Sequence, residues 1–323
     1  MGASKISREF VAAVWRMARG RLSASVGSES AEVSADVTKK SGSNFYFAFL
    51  FLPRERRRAI YSVYAYCRLI DDIVDGPEPT EAKEAELARW HGELERAFAP
   101  VGSPPPEHPI AQGLRDASLR FGLRHEDALA VLRGCEMDLH KTRYETWDEL
   151  RSYCYHVASA VGLLCIGLFG CSDPRSRDYA IHLGQALQLT NILRDIAEDA
   201  QKGRIYVPRE ALSAHGVSEA DVLDGRPGRG AASLVADLSR RARAEYAAAA
   251  AARTRTDHRA LLPAEIMGRI YFALLQEVER RGTAVLVPGP RPKLTGEQKL
   301  SLALSALAEA ALPFGLAQRL RSA

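Results

Sequence analysis

The chain has 323 residues, 46% of them hydrophobic and 26% charged, with a formal net charge of +4. This length and composition suit a globular protein with a sizeable core, built as one large domain or two. The charge comes from scattered arginines rather than a block, which gives no support to nucleic-acid binding. Cys67, Cys135, Cys154, Cys165 and Cys171 form no CxxC pair or zinc spacing and read as free thiols in a reducing compartment.

Residues 6–21 set Ile6, Phe10, Val14 and Trp15 against Arg8, Arg16, Arg19 and Arg21. They read as a short basic amphipathic helix, suited to resting on a membrane surface or packing as an extension. A Ser/Ala/Glu stretch at 22–38 reads as a linker, which divides the chain into an N-terminal extension (1–38) and one all-α domain (39–323). The N-terminus has no secretory apolar core, and Ile6 breaks a myristoylation pattern after Met1-Gly2. No uninterrupted apolar run reaches the ~18 residues of a spanning helix; Val157 to Phe169 reads as a buried core helix.

From Phe45 onward the periodicity is helical. Pro53 opens a helix running to Asp75, and Gly76-Pro77 stops it. Helical patterns follow at 80–98, 109–121, 125–140, 147–169, 175–201, 232–252, 262–281 and 295–320. The breaks fall in Pro/Gly-rich stretches at 100–109, 224–230 and 287–292. No alternating strand pattern exceeds four or five residues, so the fold class is all-α.

Two of these helices carry matched acidic segments, Asp71-Asp72-Ile73-Val74-Asp75 and Asp195-Ile196-Ala197-Glu198-Asp199, with Arg68 and Arg194 close upstream. Positions four apart share a helix face, so each segment aims two carboxylates in one direction. The stripes extend: Tyr64, Arg68, Asp71 and Asp75 at +4, +3, +4, and Gln188, Asn191, Asp195 and Asp199 at +3, +4, +4. Like charges so spaced weaken an isolated helix by roughly 0.2–0.5 kcal/mol, and carboxylates on a core-facing stripe need partners. Divalent cations with a polyanionic ligand answer both demands. Mg²⁺ suits, because it takes oxygen ligands from one or two carboxylates together with substrate phosphates. Nearby arginines would grip diphosphate and stabilise its departure. Neither segment is an EF-hand, which needs a Gly-containing loop.

Several motifs resemble those of squalene and phytoene synthases. They are Ser41-Gly42-Ser43-Asn44-Phe45-Tyr46, Leu52-Pro53, Tyr64-Ala65-Tyr66-Cys67-Arg68 with the first acidic segment, Tyr153 through Gly162, Gln188 through Asp199, and Gly203-Arg204-Ile205-Tyr206-Val207-Pro208. The match covers roughly residues 38–285. The resemblance implies an all-helical isoprenoid-synthase bundle with a central cavity. It implies that Asp71, Asp75, Asp195 and Asp199 bind several Mg²⁺ ions, with Mn²⁺ a substitute. Arg68, Arg194, Arg204 and Ser41 would contact diphosphate, assisted by Gln188 and Asn191. Tyr64 would lie near the reacting carbons. Tyr153 matches the tyrosine assigned acid/base roles at the cyclopropane-forming step.

Cys135-Glu136-Met137-Asp138-Leu139 and Arg143-Tyr144 look most like bacterial presqualene diphosphate synthases of hopanoid pathways. That implies two farnesyl diphosphates as substrates and product release towards other squalene or hopanoid enzymes. The implied place is cytoplasmic, with peripheral contact at the inner membrane face left open. Phytoene synthesis from geranylgeranyl diphosphate, full squalene synthesis and a silent scaffolding role are the alternatives. The Gly225 to Gly230 stretch follows no strand and reads as a loop, so no dinucleotide fingerprint supports NADPH.

Overall fold

The computed structural model describes residues 52–312 and residue 314. The proposed extension 1–38 and Ser41 lie outside the described residues. Among the described residues, helices are the only extended regular structure, with one isolated parallel bridge between Arg143 and Ile205.

Four helices open the described chain: α1 (Arg54–Asp75), α2 (Thr80–Phe98), α3 (Pro109–Phe121) and α4 (His125–His140). The ends of α1 and α3 follow from their sequence. Pro53 precedes α1; His108 Nδ1 accepts the Ile110 N–H at the start of α3, and Gly122 ends it at φ 68°. Tyr66 Oη donates to the Ala128 carbonyl at 2.9 Å, pinning α1 to α4.

The 147–169 pattern is one helical run with a defect in it. α5 (Trp147–Cys154) passes into a π-helical turn (Tyr155–Ser159), and α6 (Ala160–Phe169) continues to Gly170 at φ 91°. Arg56 Nη1 donates to the Gly167 and Leu168 carbonyls at 3.1 and 2.9 Å, which satisfies the end of α6 and ties it to α1. By length and composition alone this 23-residue run would cross a bilayer, longer than the 157–169 segment suggests; half of its apolar window is buried inside the protein.

Next come α7 (Arg175–Gln201), the short α8 (Arg209–Ala214) and α9 (Glu219–Leu223), then α10 (Ala231–Ala252) and α11 (Leu262–Arg281). A 3₁₀ turn (Gly282–Leu286) and α12 (Gly296–Ala310) follow, the latter opened by a Thr295/Gln298 capping box. Helix α7 is central, packed on α10, α6, α11 and the π-turn.

The core has two main clusters. One joins α1–α4, α6, α11 and α12 around Tyr66, Trp90, Leu114 and Leu132. The other joins α5, α7, α10 and the C-terminal half of α11 around Tyr144, Leu193, Leu234 and Leu275. Helix α1 therefore belongs to one cluster and the acidic end of α7 to the other.

Candidate active site

Arg68 reaches along α1 so that Nη1 lies 3.2 Å from Asp71 Oδ2 and Nη2 lies 2.6 Å from Asp72 Oδ1. The side chains of Asp71 and Asp75 are 53% and 60% exposed, so this motif faces outward rather than into apolar core. Even so, the Asp71 carboxyl is pushed up to about 6, by desolvation first and then by Asp75, against the pull of Arg68. Tyr64 is half-buried and packs against the first cluster.

The second motif is more enclosed. Asp195 is only 16% exposed and takes both branches of the neighbouring guanidinium, with Arg194 Nε donating to Oδ1 at 2.7 Å and Nη2 to Oδ2. Arg194 also engages Tyr271 of α11. The Asp199 carboxyl is pushed up to about 6 by burial and then by Asp195. Asn191 Nδ2 donates to Gln188 Oε1 at 3.3 Å, while Asn191 Oδ1 is buried with no partner among the described residues.

Arg204 joins the two motifs. A turn through Gly203 at φ 73° brings the Arg204 N–H onto the Asp199 carbonyl at 2.8 Å. Its side chain then crosses to α1, where Nη1 lies 3.7 Å from Asp75 Oδ1. Nη2 donates to the Asp138 carbonyl of α4 at 3.4 Å. One arginine is thus fastened to both acidic helices.

Tyr153, on the last turn of α5, is buried beside this arginine. Its Oη donates to Asp138 Oδ2 and Tyr206 Oη donates to Asp138 Oδ1, each at 3.0 Å. The Tyr153 ring stacks on Tyr206 at 5.1 Å and tilts against Tyr144 at 5.3 Å. Burial, then the Asp138 charge, holds the Tyr153 phenol well above the ordinary tyrosine range. Burial raises Asp138 too, against the two phenol hydrogen bonds and Arg204.

Three participants escape a reading by helical spacing. Asp72 shares Arg68 with Asp71. Arg291 lies on the Pro-rich strap after the 3₁₀ turn, with Nε 2.9 Å from Glu198 and Nη1 3.5 Å from Asp195. Asp138 receives both phenols. A cavity of about 130 Å³ opens between α7 and this strap, lined by Arg194, Glu198, Gln201, Arg281, Pro288 and Arg291.

Among the described residues no three acidic, His or Cys side chains converge on one ion position. The carboxylates come in pairs, as suits Mg²⁺ that completes its shell with substrate phosphate oxygens. The donors are all oxygen, two of the carboxyls are pushed up by burial and then by a neighbouring carboxylate, and the Asn191 oxygen is orphaned. These features fit a divalent cation.

The sequence model of the family described as squalene/phytoene synthase matches residues 38–298. A presqualene diphosphate synthase of Rhodopseudomonas palustris is 40% identical over 265 residues, covering 81% of this chain and 92% of that protein. One from Sinorhizobium fredii is 39% identical over 261 residues, covering 79% and 91%. Phytoene synthase 3 of Zea mays is 37% identical over 251 residues, 76% of this chain but 58% of that longer protein. Among solved structures, a dehydrosqualene synthase in complex with ligand superposes with a TM-score of 0.74 at 27% identity, covering 87% of this chain and 96% of the other. A squalene synthase from Alicyclobacillus acidocaldarius gives 0.62 at 32% identity, covering 80% and 91%. These neighbours carry the helical fold expected from the sequence.

Proposed function

Because the chain belongs to the squalene/phytoene synthase family of prenyltransferases, we propose that it condenses two farnesyl diphosphates head to head into presqualene diphosphate, releasing one diphosphate. The observation that carries this reading is Arg204, held on Asp199 and reaching Asp75, with the part-buried Tyr153–Asp138 hydrogen bond beside it. Cations for a leaving diphosphate and a proton-handling phenol are thereby set side by side.

In this reading Arg68, Arg194 and Arg204 grip the departing diphosphate, with Arg291 placed to join them from the strap. Asp71, Asp75, Asp195 and Asp199 would hold Mg²⁺, or Mn²⁺ in its place, which supplies charge neutralisation at the diphosphate oxygens. Fixed charges aimed at the leaving group carry most of the rate. The C2–C3 double bond of the second substrate attacks the allylic carbon. Loss of a proton on the Tyr153 side then closes the cyclopropane. Surrounding apolar side chains exclude water from the cation.

Two relatives that are presqualene diphosphate synthases, at 40% and 39% identity, support the C15 substrate and the stop at presqualene diphosphate. The Zea mays phytoene synthase at 37% supports a second reading, with geranylgeranyl diphosphate as substrate. The proposed setting is cytoplasmic hopanoid synthesis, with peripheral contact at the inner membrane face where the greasy product is handed to later enzymes. NADPH has no role in it. The test is incubation with each C15 and C20 diphosphate plus Mg²⁺, without and then with NADPH. The expected product is presqualene diphosphate from the C15 substrate alone, in both conditions. Product only from the C20 substrate overturns the substrate, and squalene formed with NADPH overturns the endpoint.

A further inference from the structure

The Asp138 carboxylate is held by tyrosine hydroxyls rather than by an ion pair. It sits on α4, outside both acidic motifs, and both of its oxygens are taken by phenol donors at 3.0 Å. Its own backbone carbonyl accepts from Arg204 Nη2. Tyr153 and Tyr206 stack on each other and Tyr144 closes the cluster at 5.3 and 5.9 Å, so neither phenol can swing away without breaking ring packing. Tyr206 is placed by the strand-like pairing in which Ile205 N–H donates to the Thr142 carbonyl at 3.0 Å. This costs structure to arrange, and the half-buried carboxylate is better tolerated for having both hydrogen bonds.

The arrangement bears on the proton-loss step. A phenol donating to a carboxylate is held in its protonated form and cannot act alone as a base. It can accept a proton only by giving up its own. We propose that Asp138 is the positioning residue for proton loss: its Oδ2 fixes the Tyr153 hydroxyl and receives that hydroxyl's proton as the phenol oxygen takes one from the prenyl carbon. This inference rests on the reaction proposed above. The step balances. Donor C1 has bonded to C2 of the acceptor, leaving a cation at C3. The C1–H bond breaks, and its electron pair forms the C1–C3 bond of the cyclopropane. The proton passes to Tyr153 Oη, the Tyr153 proton passes to Asp138 Oδ2, and one carboxylate becomes a carboxylic acid. Burial already raises Asp138 and so readies it to hold a proton. Tyr206 donates to the other oxygen at 3.0 Å and so restrains the carboxylate.

The experiment compares wild type, Asp138→Asn and Tyr153→Phe with farnesyl diphosphate and with its C1-deuterated form, following both diphosphate release and cyclopropyl product. The amide of Asp138→Asn keeps the shape and one acceptor but cannot take the proton. We expect KM within about twofold of wild type and kcat lower by roughly 10²–10⁴, the usual range for a lost acid–base group. The deuterium effect on product formation should rise, and diphosphate release should outrun product as the cation is diverted to alcohols. Tyr153→Phe should show the same signature, and the double variant should be no slower than the worse single one. Turnover of Asp138→Asn within threefold of wild type, or a fall in kcat with an unchanged deuterium effect, overturns the inference while the reaction stands. Should Asp138→Asn fail to fold, Tyr153→Phe with an unchanged deuterium effect overturns it equally. If wild type makes no cyclopropyl product from either C15 or C20 diphosphate, the reaction falls and the inference with it.

Discussion

The two acidic motifs look alike in sequence, yet their first aspartates stand in opposite energetic positions. Asp71 is half exposed, repelled by Asp75 and Asp72, and shares Arg68 with Asp72. Asp71→Asn leaves Arg68 its stronger partner and removes a repulsion worth roughly 0.2–0.5 kcal/mol. Metal-free stability should hold or rise by a few tenths. Asp195 is enclosed and is the bidentate partner of Arg194. Asp195→Asn takes the one bidentate carboxylate from a mostly buried guanidinium, leaving it Tyr271 and an amide oxygen, and should cost about 1–3 kcal/mol. Both variants should lose turnover. Melting in EDTA alongside product assays checks the pair, and equal melting shifts would refute the asymmetry. Helical spacing made both stripes legible, since residues on one helix face need no tertiary information. Arg291 was not legible, because only the path of the strap brings it to Glu198 and Asp195. Asp138 and Tyr206 both stood in recognisable motifs, but nothing local says that their side chains meet.

Among elements, the long helices were readable because their apolar period is sustained and their ends carry Pro, Gly or a capping side chain. Helices α8 and α9 span under two turns, too short for a period to register. The π-turn at Tyr155–Ser159 left no mark either, since one extra residue per turn does not change which residues are apolar. Its cause is in the packing. Ser159 Oγ donates to the Ile181 carbonyl of α7 at 2.8 Å, and glycines on two neighbouring helices let their backbones close in. A Cβ on Gly184 would lie 2.5 Å from Ser159 Cα and 2.8 Å from the Ala158 carbonyl carbon, all backbone. Overpacking costs about 1–3 kcal/mol, which outweighs the ~1 kcal/mol that a helical Gly→Ala change gains in propensity. Gly184→Ala should therefore be destabilised by up to about 2 kcal/mol, with reduced turnover as the turn after Tyr153 shifts. Gly92→Ala is the control: its Cβ meets nothing nearer than Arg96 Nη1 at 3.9 Å in mid-α2, so it should gain up to about 1 kcal/mol. Chemical denaturation of both decides, and a Gly184→Ala protein as stable as Gly92→Ala would remove the backbone contact as the origin of the π-turn.

At the scale of the whole molecule, the site lies on the seam between two hydrophobic clusters, and what holds the seam from the polar side is charge. Arg204 contributes one cation, and the carboxylates it faces remain in excess. Asp71 and Asp199, on opposite sides, are both pushed up to about 6 from an ordinary value near 3.8. The sign of the linkage follows. A carboxyl with a raised folded-state pKa binds its proton better in the fold, so its contribution is full below about 3.8 and is lost as pH rises through about 6. Glu277 works in the other direction, held at about 2 by Arg280 and Arg281, but its effect is confined below about 4.5 and leaves the window above pH 5 clear. Without metal, the seam should therefore loosen between pH 5 and pH 7. Cations and protons compete for the same oxygens, so Mg²⁺ should stabilise little at pH 5 and strongly at pH 7.5. Saturation to about a hundred times Kd is worth about 2.7 kcal/mol, or roughly 5 °C in Tm at about 2 °C per kcal/mol for a chain of this size. Melting curves in EDTA and in Mg²⁺ at both pH values read this difference, with groups elsewhere in the protein cancelling between the paired samples. A double Asp71→Asn, Asp199→Asn variant should show no such pH-dependent gain. A Mg²⁺ shift equal at pH 5 and pH 7.5, or one retained in that variant, would mean the ion binds elsewhere and the paired motifs serve only the arginines.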